Sequence, residues 1–204
     1  MFTGKLYKKL AIVLKQKGFE TPKGLQQKCI SKINSGSDLI AIAPNGSGKS
    51  TLINICTIHK LQYLVEDAPR AIIIVGNKEK AIAMKEQFDE FAKETDLRSV
   101  CVVEEGKIDN QSVEVYEGTD VVIGTAKRIY ELYFNHSLNL NKLKLFVIDD
   151  AELIIKNTWQ APIDRLGESL PKCQHLVFAL DFTPKLEKLI SKFIVAPHFI
   201  EVDE

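Results

Sequence analysis

Ala43-Pro-Asn-Gly-Ser-Gly-Lys-Ser50 stands between an apolar run at residues 38–43 and a helical pattern at 51–64. A strand that turns through such a loop into a helix is the setting a phosphate-binding loop needs. Gly46 and Gly48 let the chain turn tightly and bring backbone N–H groups towards phosphates, and the helix start adds a favourable dipole. Lys49 is expected to reach the β- and γ-phosphates of ATP, and Ser50 to hold Mg²⁺. Ala43, Pro44, Asn45, Ser47 and Thr51 complete the expected nucleotide-binding set. A Gly-rich turn with a capping serine is the plainer reading of the same residues. The loop departs from the general pattern at its first position, where Ala43 replaces glycine.

Working outward, apolar runs rich in β-branched residues recur at 38–43, 71–75, 100–103, 120–124, 143–148, 175–182 and 199–202. Both faces of each run are apolar, as in buried parallel strands. Helical spacing fills most of the intervening segments. Ala81, Met84, Phe88 and Phe91 share a stripe within 78–95, and Leu186, Leu189, Ile190 and Phe193 share one within 184–194. This alternation predicts a doubly wound α/β sandwich, a mostly parallel sheet covered by helices. Two further helical segments, 2–16 and 23–34, precede the first strand. They read as an N-terminal extension, residues 1–35, of a single domain spanning 1–204.

A second motif, Val147-Ile-Asp-Asp-Ala-Glu152, ends the run at 143–148. In an open α/β sheet the carboxyl ends of the strands lie beside the phosphate loop. Asp149 is therefore the expected partner of Mg²⁺, and Asp150 the group that orients or deprotonates an attacking water. With Lys49 they form the expected catalytic set. An acidic helix start that complements the helix dipole is the alternative.

Lys plus Arg and Asp plus Glu number 27 each, so any nucleic-acid surface must be local. Cys29, Cys56, Cys101 and Cys173 lack the spacing of a zinc or redox site and read as reduced core thiols, which fits the cytoplasm. His59, His136, His175 and His198 are scattered without metal spacing, and Trp159 and Phe182 read as core or domain-edge aromatics. The apolar run at 10–14 is too short for a secretory segment, and no stretch approaches a membrane-spanning length.

Taken in order, these motifs resemble the first RecA-like, P-loop NTPase domain of DEAD-box RNA helicases over essentially the full chain. Ala43 agrees with that family's phosphate loop, which begins with alanine. Gly18-Phe-Glu-Thr-Pro-Lys-Gly-Leu-Gln26 resembles its Q motif. The resemblance implies adenine recognition by the Gln26 amide, packing of Phe19 against the base, and a further upstream aromatic in Phe2. Gly76-Asn-Lys-Glu79 stands in place of Pro-Thr-Arg-Glu, and Gly124-Thr-Ala-Lys-Arg128 resembles the Thr-Pro-Gly-Arg signature. Lys78, Thr125, Lys127 and Arg128 are thereby implied as contacts to RNA phosphates. Glu104 and Glu105, near the family's glycine pair, would repel that backbone. A capped helix start with exposed lysines is the alternative for these residues.

Two departures from the family pattern bear on catalysis. Asp149-Asp-Ala-Glu152 replaces Asp-Glu-Ala-Asp, withdrawing the carboxylate at 150 by one methylene. A displacement of about 1 Å can cost on the order of 100-fold in rate. Ala179-Leu-Asp181 replaces Ser-Ala-Thr, whose hydroxyls bond to the acidic motif in the family; Ala179 cannot do so, and Asp181 adds a carboxylate near others. The resemblance implies a monomeric domain that binds ATP-Mg²⁺ and one side of a groove for single-stranded RNA or a short duplex. Hydrolysis is expected once a second RecA-like domain, expected beyond Glu204, is joined, and the isolated chain is expected to be slow or inactive. A nucleotide- and RNA-binding scaffold without turnover, and a P-loop ATPase unrelated to RNA, are the other readings.

Overall fold

The computed structural model describes residues 6–19, 21–65 and 68–203, so the expectations placed on residues 1–5, Phe2 included, lie outside the described residues. Strands form where the apolar runs occur: β1 (Leu39–Ile42), β2 (Ala71–Val75), β3 (Ser99–Val102), β4 (Val121–Thr125), β5 (Leu145–Ile148), β6 (Gln174–Ala179) and β7 (His198–Glu201). They make one sheet in the order β3-β4-β2-β5-β6-β1-β7, with every described pairing parallel. Expected as mostly parallel, the sheet is wholly parallel among the described residues, so all carboxyl ends lie along one edge.

Side chains alternate between faces along a strand, and the core divides accordingly. Leu39, Ala41, Ile73, Val75, Val147 and Phe178 face a layer built from α1 (Lys8–Gln16), α2 (Gly24–Asn34), α3 (Lys49–Leu61) and α4 (Lys78–Ala92). Ile40, Ile42, Ile72, Ile74, Phe146 and Val177 face the other layer, formed by α5 (Ile108–Tyr116), α6 (Ala126–Phe134), α7 (Ala151–Lys156), α8 (Gln160–Glu168) and α9 (Pro184–Ile190). Burying each Val, Leu, Ile or Phe among them contributes about 1.5–3 kcal/mol. Coverage on both faces is why the central runs lack polar alternation; only at the margins, in β7 above all, do residues become exposed.

The run at 175–182 leaves the sheet after Ala179. There the Leu180 N–H turns away from the ladder and donates to Glu152 Oε2 at 3.2 Å, and Leu180 and Phe182 become exposed. At the end of α1 the Phe19 N–H returns to Leu14 O at 2.9 Å, a helix-end hook that sets the Phe19 ring edge-on to Phe91, centroids 5.3 Å apart.

The amino-terminal edge of the sheet is pinned by charge. Arg70 and Asp120, just before β2 and β4, form a fully buried pair at 2.7 Å. The Arg70 guanidinium also donates to Tyr63 O at 2.6 Å. Asp120 Oδ2 accepts from the Arg98 N–H at 2.9 Å.

Candidate functional site

The phosphate loop leaves β1 and enters α3 at the carboxyl edge. Gly48, the residue that starts α3, has φ +91, a left-handed conformation that glycine adopts without strain. A Cβ there would also lie 2.7 Å from Gln26 Nε2 and push aside the amide that ties α2 to the loop. Gln26, in the first turn of α2, accepts from the Lys23 N–H at 3.0 Å and donates to Gly48 O at 3.4 Å. The Lys23 ammonium donates to Gly46 O at 2.6 Å. The segment expected to read adenine is therefore tied directly to the phosphate loop.

Lys49 Nζ donates to Ala43 O at 2.7 Å and Pro44 O at 3.0 Å. Burial lowers its pKa, with Asp149 pulling in the opposite sense. Across the cleft, Asp149 is wholly buried at the end of β5. Its Oδ1 accepts from the Asp150 N–H at 3.0 Å, and its Oδ2 lies 3.4 Å from Ser50 Oγ. Burial raises the Asp149 pKa, and the Lys80 ammonium works against that rise.

Asp150 caps α7 in a left-handed conformation, φ 53 and ψ 49. Its Oδ2 meets Lys80 Nζ at 2.6 Å, and the same ammonium reaches Asp149 Oδ2 at 2.8 Å. Burial opposes the charge on Lys80, but Asp149 and Asp150 outweigh it and raise its pKa. Motif reading passed over Lys80 and took Lys78 and Glu79 beside it. The overlooked signal is Asn77, whose side chain accepts from the Lys80 N–H at 2.9 Å and sets residue 80 on the first turn of α4.

Asn45, Gly46, Gly48, Lys49, Ser50 and Thr51 line a cleft of about 280 Å³ together with Lys23 and Lys80. Ser47 Oγ, in the same loop, is buried without a hydrogen-bond partner. The lysines that line this cleft and the start of α3 suit a polyphosphate. Ser50 Oγ and one carboxylate are hard oxygen donors of the kind Mg²⁺ takes when phosphates supply the rest of its shell. These residues fit nucleotide and metal.

A neighbouring cleft of about 330 Å³ collects three residues of the expected RNA set, Lys78, Thr125 and Lys127, beside Asn77, Glu104 and Glu105. Lys78 pairs with Glu105 at 3.1 Å, and Thr125 Oγ1 donates to Glu104 Oε2 at 2.7 Å. Lys127 is exposed. Arg128, the fourth, is buried: its guanidinium donates to Glu104 O and Gly106 O, both at 2.8 Å, to Gln111 Oε1 at 2.7 Å and to Glu131 Oε2 at 2.9 Å. At the end of β6, Ala179 has no hydroxyl to offer, and the link to the acidic motif is made instead by the Leu180 N–H and Glu152. Asp181 is exposed.

The family model described as DEAD/DEAH box helicase matches residues 23–188. The chain is 27% identical over 194 residues to a pre-mRNA-processing ATP-dependent RNA helicase of Meyerozyma guilliermondii, covering 91% of this chain and 22% of that protein. To an ATP-dependent RNA helicase of Saccharomyces cerevisiae it is 28% identical over 192 residues, covering 93% and 19%. The chain thus spans about a fifth of the length of these curated relatives. The solved structure of a DEAD box protein from the hyperthermophile Methanococcus jannaschii shares the fold, with a TM-score of 0.88 at 24% identity, over 97% of this chain and 54% of that one. Because the matched residues take in both the phosphate loop and the acidic end of β5, this chain belongs to the DEAD/DEAH box helicase family.

Proposed function

We propose that this chain is the ATP-binding domain of an ATP-dependent RNA helicase, taking ATP-Mg²⁺ in the cleft between β1 and β5 and one side of an RNA strand in the neighbouring cleft. The carrying observation is that Ser50 Oγ and Asp149 Oδ2, 99 residues apart in sequence, approach to 3.4 Å beside Lys49.

Lys49 would leave the carbonyls of Ala43 and Pro44 for the β- and γ-phosphates, while backbone amides around Gly46 to Ser50 hold the chain of phosphates. Ser50 and Asp149 would hold Mg²⁺, which when bound offsets charge developing on the transferred phosphoryl group. Asp150, held at the start of α7, would orient the attacking water. Gln26 would trade its bond to Gly48 for the adenine edge, with Phe19, seated on Phe91, supporting that turn. Lys127, Lys78 and the Thr125 hydroxyl supply sequence-independent phosphate contacts, and Arg128 braces the loop of Glu104 and Gly106 beneath them. Hydrolysis and unwinding require a second RecA-like domain that completes both clefts. The free thiols suit a reducing compartment such as the cytoplasm.

Binding of a fluorescent adenine nucleotide with Mg²⁺ tests this. Lys49→Ala is expected to weaken binding on the order of tenfold or more by removing a charged contact to phosphate. Gln26→Ala is expected to narrow the preference for adenine over guanine nucleotides. Equal binding by wild type and Lys49→Ala would sink the assignment.

A further inference from the structure

The nucleotide-binding and catalytic roles assigned so far leave Lys80 without a function, yet it occupies the centre of the acidic pair. Its ammonium touches Asp149 Oδ2 at 2.8 Å and Asp150 Oδ2 at 2.6 Å. Asp149 Oδ2 is also the oxygen nearest Ser50 Oγ. The oxygen that would face Mg²⁺ is therefore already paired with a positive charge held on the same chain.

The placement is built in from the backbone. Asn77 caps α4 through the Lys80 N–H. Gly76, which precedes that cap, passes so near α7 that a Cβ would sit 2.4 Å from Leu153 Cδ1 and 3.0 Å from Asp150 Cβ. The loop after β2 is thus pressed against the acidic loop after β5, and the stem of Lys80 crosses the gap between them. Lys80 also lines the phosphate cleft with Lys49 and Ser50.

From this geometry we propose that Lys80 is a tethered counter-ion that competes with Mg²⁺ for Asp149 and thereby sets how strongly nucleotide binding depends on the metal. The proposal rests on the ATP-Mg²⁺ reading above. A tethered cation is present at high local concentration whatever the free Mg²⁺. For the metal to reach Asp149 Oδ2, the ammonium must swing off that oxygen, and the cleft it lines offers phosphate oxygens as its new partners. Wild-type protein should then hold nucleotide appreciably without Mg²⁺ and gain little when the metal is added.

The test measures the dissociation constant of a fluorescent ADP analogue in EDTA and across a Mg²⁺ titration. Lys80→Met keeps the length of the stem and removes the charge. It is expected to raise the ratio of the EDTA to the Mg²⁺ dissociation constant on the order of tenfold, the usual size of such a coupling. The half-saturating Mg²⁺ concentration should fall with it, and Lys80→Arg should retain the wild-type ratio. A folded Lys80→Met with an unchanged ratio overturns the proposal. If Lys80→Met does not fold, as judged by its thermal melt, Lys80→Gln and Asn77→Ala decide it: a raised ratio supports the tether, and an unchanged ratio refutes it. Failure of wild type and variants alike to bind nucleotide with Mg²⁺ refutes the underlying ATP-Mg²⁺ assignment, a result distinct from binding with equal metal dependence.

Discussion

Single residues carry the site in two ways, through chemistry visible in their type and through neighbours visible only in space. Lys49, Ser50 and Asp149 belong to the first kind, since a Gly-rich loop and an acidic strand end announce them. Lys80 belongs to the second: a lysine in the first turn of a helix looks like solvated surface until the loops after β2 and β5 are seen to touch. Arg128 shows the same gap, because its donors are spent on the carbonyls of Glu104 and Gly106, which no motif marks as needing partners. Gly76 is the matching backbone case. Gly76→Ala drives a methyl into Leu153 and is expected to cost about 1–3 kcal/mol, read by urea denaturation. The Arg70–Asp120 pair is fully buried, so Arg70→Met leaves a carboxylate without its main partner and is expected to cost about 3–5 kcal/mol in the same assay. Asp120→Asn combined with Arg70→Met should recover part of that loss, because it removes the stranded charge.

At the scale of elements, the central strands are legible because burial on both faces makes each a continuous apolar run, whereas β3 and β7 at the margins are only partly covered. Helices that cover a sheet need one apolar stripe only, and the shortest of them, α7 at six residues, is too brief for a period to declare itself. The end of β6 was legible as composition but not as geometry, since the turn at Leu180 depends on a carboxylate 28 residues away. The docking of α1 has a pH dependence of its own. The Tyr7 N–H donates to His59 Nδ1 on α3 at 2.9 Å, which requires that nitrogen to be unprotonated. Burial lowers the His59 pKa below its ordinary 6.5, and Lys60 lowers it further. A depressed folded pKa means that the unfolded chain takes the proton more readily. The stabilisation is therefore complete above about pH 6.5 and is lost as pH falls through the folded value. Protection factors of α1 amides, corrected for the intrinsic slowing of exchange, are expected to fall from pH 7 to pH 5, and His59→Asn should flatten that dependence.

For the molecule as a whole, one parallel sheet explains why residues scattered from Lys49 to Asp150 share an edge: every strand delivers its following loop to the same side. That much was legible, because alternation of strand and helix dictates it. The order of the strands was not, since apolar runs carry no label for their neighbours. The two-sided core also governs the thiols. Burial pushes Cys29 and Cys173 up to about 12 and Cys56 higher still. Near pH 8.5 thiolate is then scarce, and alkylation by iodoacetamide should run at least about 100-fold slower than for a free thiol, with all four cysteines labelled quickly in guanidinium, as mass spectrometry would show. The strand order has a further consequence for how the protein is made. β1 delivers the phosphate loop, yet it is flanked by β6 and β7, the last two strands of this sheet in sequence order. While the segments between β1 and β6 are being made, this apolar strand has neither lateral partner, so the edge that carries the phosphate loop closes only once β6 and β7 have been synthesised.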